Sequence, residues 1–135
     1  MRKAVVLYAL PAVAWMGAIF YWSSLQEAET PLREVVPDYV AHAAVYLVLA
    51  FFLFIFLHRV HERGLAVTFC IALIIGALYA LSDEWHQSYV PTRSCSAWDF
   101  LADIVGMTIC FLLLAAVRQA GSMGQRSYAR LAGRL

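Results

Sequence analysis

The stretch from Tyr79 to Arg93, YALSDEWHQSYVPTR, holds the densest set of proton-handling and anion-binding side chains in the sequence. Asp83 and Glu84 supply adjacent carboxylates. His86 follows with an imidazole, and Arg93 ends the stretch with a guanidinium. A carboxylate and an imidazole can work together in acid–base chemistry, and a guanidinium can hold phosphate or carboxylate. If the chain has a functional site, we expect it here, with the other segments placing groups around it.

The composition indicates that lipid is the solvent for much of the chain. Of the 135 residues, 63% are hydrophobic and 14% are charged, and the mean hydropathy is +0.71. A soluble domain of this length could not bury so much apolar surface. Four apolar segments are each close to the roughly 20 residues that a membrane-spanning helix needs. We therefore predict an all-α membrane protein, a bundle of four transmembrane helices at about 4–24, 38–58, 64–84 and 97–118.

The distribution of Lys and Arg predicts the orientation of the bundle. Eight of the ten basic residues precede helix 1, join helices 2 and 3 or follow helix 4: Arg2, Lys3, Arg59, Arg63, Arg118, Arg126, Arg130 and Arg134. Because basic residues are retained on the cytoplasmic side, we expect both termini in the cytoplasm and the 79–93 stretch outside. The predicted domains are a four-helix membrane domain, 1–120, and a basic cytoplasmic tail, 119–135. In loop 1, Thr30-Pro31 predicts a short interfacial helix.

Polar residues on three of the predicted helices lie at a similar depth. They share a face within each helix: Asp38, His42 and Tyr46 on helix 2, Gly76, Tyr79 and Asp83 on helix 3, and Asp99, Asp103, Gly106 and Cys110 on helix 4. At a rise of ~1.5 Å per residue, His42, Tyr79 and Asp103 should lie roughly one to two turns below the outer surface. Charged groups are costly in a membrane span, so we expect these side chains to turn towards one another. The expected result is a polar cavity open to the outside, lined by His42, Tyr46, Tyr79, Asp83 or Glu84, His86, Gln87, Arg93, Asp99 and Asp103.

The choice between Asp83 and Glu84 stays open at this point. Neighbouring residues of a helix are about 100° apart, so both cannot point to one centre. His86 and Gln87, at i+3 and i+4, slightly favour Asp83 as the inward residue. If Asp83 faces inward, we expect Glu84 to pair with Arg93.

Structural roles are also open for several candidates. Ser96-x-x-Asp99 fits a capping box, so Asp99 is explained as well by capping helix 4 as by a site. Tyr46 and Tyr79 could instead be hydrogen-bond donors between helices.

Several motifs, taken together, indicate a resemblance to a known family. They are Tyr79-Ala-Leu-Ser-Asp83-Glu84-Trp-His86-Gln87, Val90-Pro91-Thr92-Arg93-Ser94, Asp99-Phe-Leu-Ala-Asp103-Ile-Val-Gly106 and Asp38-x-x-x-His42-x-x-x-Tyr46. With them the chain resembles the VanZ-like family of small bacterial membrane proteins, although Tyr39 stands where that family usually has Lys. The resemblance implies a bacterial cytoplasmic (inner) membrane location in the cell envelope and an association with teicoplanin resistance. Ser23-Ser24-Leu25-Gln26 is similar to the family's Ser-Ser-Gln signature, which adds Ser24 and Gln26 to the candidates.

The first functional hypothesis is an envelope-facing pocket for a membrane lipid or a lipid-linked envelope precursor. Arg93 would hold phosphate or carboxylate, His42 and His86 would form hydrogen bonds to the ligand, and the acids would orient them. The other residues expected to bind the ligand are Ser24, Gln26, Asp38, Tyr46, Tyr79, Gln87 and Asp99. Nucleic acid is not an expected partner.

The second hypothesis is an intramembrane hydrolase or group transferase acting on such a lipid. An Asp–His pair would be the general base, and Arg93 would stabilise developing negative charge. The catalytic candidates are His42, Asp83, Glu84, His86, Arg93 and Asp103.

No cofactor is expected for this reaction. Water would be the nucleophile, or a divalent ion held by His42, Asp83, His86 and Asp99 would be needed. A third hypothesis is a structural or partner-assembly protein whose buried polar groups only fix helix packing.

Overall fold

Four helices make up most of the chain. The computed structural model describes residues 2–26, 36–61 and 64–132. Its elements are α1 (Arg2–Ser23), α2 (Asp38–His61), α3 (Leu65–Gln87) and α4 (Ala97–Ala132). Each helix contains a segment long and apolar enough to cross a membrane, over Val5–Ser23, Asp38–Val60, Leu65–Gln87 and Ala97–Ser122. The predicted all-α, four-span fold is confirmed. The short helix expected near Thr30 lies outside the described residues.

Local sequence explains where the helices begin and end. The Pro37 carbonyl oxygen accepts a hydrogen bond from the Val40 N–H at 2.9 Å at the start of α2. The Ser96 hydroxyl oxygen accepts one from the Asp99 N–H at 3.3 Å, which is the bond of an N-cap at the start of α4. α4 continues beyond its predicted end at 118 as far as Ala132. The described part of the segment assigned to a tail, 119–132, therefore extends the helix, and most of these residues are good helix formers.

α2 is the central helix of the bundle, and it packs against each of the other three. Its buried face carries Tyr46, Leu49 and Leu53, which belong to the same hydrophobic core as Met107 of α4. On the outer faces, large apolar side chains such as Leu78 are well exposed. This distribution fits a bundle whose surroundings are lipid, since lipid solvates apolar side chains as well as a core does.

A glycine sets the spacing between α2 and α4. A β-carbon at Gly106 would overlap the backbone carbonyl of Ala43. Only glycine therefore lets the two backbones approach this closely, as small residues do at helix interfaces in membranes.

Consecutive helices run in opposite directions, so the bundle end formed by Ser23, Asp38 and Gln87 also contains the start of α4. We call this end the polar end.

Candidate functional site

His42 and Asp103 join α2 to α4 at the polar end. The Nδ1 atom of His42 lies 3.0 Å from Oδ1 of Asp103, within hydrogen-bonding distance. The His42 side chain is 10% exposed and that of Asp103 is 1% exposed. The pair lies beside the Ala43–Gly106 contact, which brings the two helices close enough for it to form. The sequence-based expectation that these two side chains meet agrees with this geometry.

Glu84 belongs to the same group. Its Oε2 atom accepts a hydrogen bond from the Ser96 N–H at 2.7 Å, so Glu84 is directed towards the start of α4. Atoms of His42, Glu84 and Asp103 that can ligate a metal all lie within 4.8 Å of one another. Three helices therefore each contribute one side chain to a small buried cluster, which we call the His–Glu–Asp cluster.

Asp83 is also buried, but it faces a different neighbour. One of its carboxylate oxygens, Oδ2, accepts a hydrogen bond from Gln87 Nε2 at 3.1 Å. The sequence left open which of Asp83 and Glu84 faces inward; both side chains are buried, and each faces a different neighbour. α3 has helices on more than one side, so two directions about 100° apart both lead into protein.

A cavity of about 420 Å³ opens between α1, α2 and the end of α3. Much of its wall is apolar, with Ile19 and Trp22 on one side and Val40 and Val45 on the other. Its polar lining comes from residues of the sequence motifs: Ser23, Asp38, His42, Tyr46, Asp83, Gln87 and Arg93. We call this space the α1–α2 cavity. His42 thus lies between the cavity and the buried Asp103.

His86 lies on another side of α3. Its ring stacks on Phe20 at 4.5 Å between centroids. The Ser24 hydroxyl donates to the Phe20 carbonyl oxygen at 2.7 Å. His86 Nε2 lies 3.0 Å from Ser24 Oγ. Because the hydroxyl hydrogen is already donated to Phe20, the imidazole N–H is the donor in this bond between His86 and Ser24. His86 lines a separate cavity of about 390 Å³ together with Tyr79 and Asp83. The sequence-based expectation of one cavity holding both His42 and His86 is corrected: Asp83 borders two cavities, each with one histidine.

Arg93 is held by the end of α1. Its Nε donates to the Leu25 carbonyl oxygen at 3.0 Å, and a terminal nitrogen donates to that of Trp22 at 3.2 Å. These carbonyl groups lie at the end of α1, where the helix dipole favours a cation. The turn before it is closed by a bond from the Arg93 N–H to the Val90 carbonyl oxygen at 3.1 Å. Thr92, inside that turn, has a φ of 71°, which is rare for a β-branched residue.

The sequence model of the VanZ/LLP1 family matches residues 4–118. The chain belongs to the VanZ/LLP1 family. Comparisons with curated proteins and with solved structures find no match. The matched range includes the motif residues of the polar end, and it stops before the last part of α4.

The remaining candidates of this VanZ/LLP1 protein take different positions. Tyr79 donates its hydroxyl to the Met16 carbonyl oxygen at 2.6 Å, so the hydrogen-bond role between helices is the one observed. Tyr46 is buried and lines the α1–α2 cavity, and among the described residues its hydroxyl has no partner. Asp38 lines that cavity half-buried, whereas Gln26 is exposed outside it.

The capping box at the start of α4 is only half formed. Asp99 donates its N–H to Ser96 Oγ, as a cap requires. The Ser96 N–H, which in a complete capping box would donate to the Asp99 carboxylate, donates to Glu84 instead. Asp99 is half-buried and does not line either cavity described above.

Two parts of the site were not anticipated. The first is the grouping of Glu84 with His42 and Asp103. The metal set considered from sequence shares only His42 with it. The second is Trp15, whose indole N–H donates to the Val45 carbonyl oxygen at 2.9 Å and ties α1 to the cavity wall. A Trp well inside a span needs a partner for its N–H. That requirement could have indicated from the sequence that Trp15 bonds to a neighbouring helix.

Proposed function

We propose that this VanZ/LLP1 membrane protein binds an amphiphilic envelope molecule, a phospholipid or a lipid-linked precursor, in the α1–α2 cavity. The observation that carries the proposal is the lining of that cavity. Apolar side chains such as Ile19 and Val45 form its walls, and His42, Asp83 and Gln87 supply hydrogen-bonding groups. Its volume of about 420 Å³ lies within the ordinary range of ligand pockets. An acyl chain fits the apolar walls, and a headgroup fits the hydrogen-bonding groups.

The proposed site faces the extracytoplasmic side of a bacterial cytoplasmic membrane. The polar end is opposite the end of the bundle where α2 finishes. The sequence has Arg59 in the last turn of α2 and Arg63 shortly after it, and basic residues between spans are retained in the cytoplasm. A ligand held there would be at the level where cell-wall precursors are exposed to glycopeptides. The association with teicoplanin resistance that the family resemblance implies would follow from a change in that exposure.

A second candidate function is acid–base catalysis on the same class of molecule. It is favoured by the His42–Asp103 pair, in which the imidazole borders the cavity and the carboxylate lies behind it. A buried carboxylate that orients an imidazole is the arrangement of a general base in many hydrolases. In this candidate, His42 accepts a proton from water as that water attacks the substrate, and Asp103 stabilises the imidazolium that forms.

The test measures lipid carried by the purified protein. The protein is purified in mild detergent from bacterial membranes, and bound lipids are extracted and identified by mass spectrometry. Ala44→Trp places a large side chain on the cavity lining, whereas Ala66→Trp places one on an exposed position of α3 outside it. We expect Ala44→Trp to lose at least ten-fold of the bound lipid and Ala66→Trp to keep it.

Equal lipid content in the two variants would contradict the proposal. The same preparation separates the two candidates. If wild-type protein converts a defined lipid to a new species and His42→Ala does not, catalysis is the function. If the lipid is bound and recovered unchanged, the function is binding.

A further inference from the structure

The His–Glu–Asp cluster has the dimensions of a metal site. His42, Glu84 and Asp103 each offer a ligand atom, and these atoms lie within 4.8 Å of one another. Ligand atoms around a first-row cation, with bonds of about 2.0–2.2 Å, are separated by roughly 3–4 Å. His42 Nδ1 and Asp103 Oδ1 are already 3.0 Å apart. A modest inward movement of the third side chain would complete the set.

Unpaired carboxylate oxygens are the second, independent observation. Among the described residues, three carboxylate oxygens are buried and have no hydrogen-bond partner: Glu84 Oε1, Asp103 Oδ2 and Asp83 Oδ1. The first two belong to the cluster. The two residues are 3% and 1% exposed. Burying an anionic oxygen without a partner is costly, and in a membrane span the cost is greatest. Each residue has its other oxygen already bonded, Glu84 to the Ser96 N–H and Asp103 to His42.

We propose that His42, Glu84 and Asp103 bind a divalent first-row cation, with Zn²⁺ and Mn²⁺ as the fitting ions. One imidazole and two carboxylates form the mixed nitrogen and oxygen set that these ions accept. The two negative charges of Glu84 and Asp103 balance the charge of the cation, so the bound site is close to neutral in its apolar surroundings. The cation also supplies a partner for carboxylate oxygens that the described residues leave unpaired.

The proposed ion would link α2, α3 and α4 at one point. His42 also borders the α1–α2 cavity, so the ion would lie beside the position proposed for the headgroup. Metal binding at this cluster does not require a lipid, because neither Glu84 nor Asp103 lines that cavity.

The experiment measures metal bound to the purified full-length protein in detergent without added lipid. After treatment with chelator, the protein is dialysed against Zn²⁺ or Mn²⁺, and the bound metal is counted by mass spectrometry. We expect one ion per chain. Glu84→Gln and Asp103→Asn should each weaken binding at least ten-fold, since each removes a ligand charge and keeps the side-chain shape.

Asp83→Asn is the matched control. It removes the same charge from an equally buried residue next to Glu84 in sequence, but Asp83 is not one of the three clustered residues. We expect this variant to keep its metal. Equal loss in Asp83→Asn and Glu84→Gln would show a general charge effect and would overturn the proposal. Wild-type protein that binds no stoichiometric ion at millimolar Zn²⁺ or Mn²⁺ would overturn it as well.

A spectroscopic measurement covers the case in which the acid variants fail to fold. With Mn²⁺ bound to wild-type protein, electron spin-echo modulation reports whether a histidine nitrogen is a ligand. We expect nitrogen modulation that is present in His86→Ala and absent in His42→Ala. Wild-type protein that shows no nitrogen modulation would rule out this ligand set.

Discussion

Gly106 of α4 packs directly against the backbone carbonyl of Ala43 in α2, and no side chain can occupy the space between them. Ala43 adjoins His42, and Asp103 precedes Gly106 by three residues on α4. The close contact of the two backbones therefore determines whether the His42–Asp103 pair can form. Glycine at this position serves the site through helix spacing.

Gly106→Ala tests this relationship. The added β-carbon must push α4 away from α2, and overpacking of this kind costs about 1–3 kcal/mol. We expect a lower unfolding temperature in detergent. Gly17→Ala is the matched control, because nothing lies within 4 Å of the added carbon, and glycine-to-alanine within a helix stabilises by up to about 1 kcal/mol. Similar unfolding temperatures for the two variants would contradict the spacing role.

The fold was predictable from sequence because spans are marked by their length and their lack of charge. The approach of His42 to Asp103 followed as well, since alternating helix directions and a fixed rise per residue bring both to one depth. Neither the position of a span nor the depth of a residue depends on the rotation of a helix about its axis.

That rotation is why the expectations for Asp83, Glu84 and His86 were incomplete. In a soluble helix the apolar face marks the inside, but in lipid the outer face is apolar too. Exposed Leu78 and Leu81 are as hydrophobic as buried Leu49. The pattern along α3 therefore does not reveal which helix each polar side chain faces.

The His42–Asp103 interaction should appear as an energetic coupling. Asp103→Asn, His42→Gln and the double variant form a mutant cycle, measured with chelator present so that a bound metal does not contribute. Because the two side chains are hydrogen-bonded and buried, we expect a coupling energy of about 1–3 kcal/mol. Additive effects of the two single substitutions on the free energy of unfolding would contradict the pairing.

The two tyrosines of the polar end should differ in what their hydroxyl groups do. Tyr79→Phe removes a hydrogen bond to the Met16 carbonyl oxygen, so we expect a loss of about 0.5–1.5 kcal/mol of stability. Tyr46→Phe removes a hydroxyl with no partner among the described residues. We expect unchanged stability there and weaker lipid binding, because that residue lines the α1–α2 cavity. The measurements are thermal unfolding and the content of bound lipid. The reverse pattern would mean that Tyr79 contacts ligand and Tyr46 supports packing.

Arg93 should contribute to stability even without a ligand. Its guanidinium donates to two carbonyl oxygens at the end of α1, and hydrogen bonds from charged groups contribute about 1.5–3 kcal/mol. We expect Arg93→Lys to unfold at lower temperature in lipid-free detergent, because an ammonium cannot reproduce the planar arrangement of donors. Equal stability of Arg93→Lys and wild-type protein, with a loss confined to lipid binding, would instead assign the side chain to the ligand.

The orientation of the polar end can be tested with a native cysteine. Cys95 is exposed in the segment that precedes α4. If this end faces outward, a membrane-impermeant maleimide added to intact cells should label it. Spheroplasts replace intact cells where an outer membrane is present. Cys70 and Cys110 are first replaced by Ala to leave a single thiol. The control is Gly64→Cys in a Cys95→Ser background, since Gly64 is exposed at the opposite end of the bundle. Because basic loops remain in the cytoplasm, we expect the thiol of this control to react only after the membrane is permeabilised. The opposite result would be labelling of the Gly64→Cys control in intact cells together with protection of Cys95. It would place the α1–α2 cavity on the cytoplasmic side. An envelope precursor exposed outside could not then be its ligand.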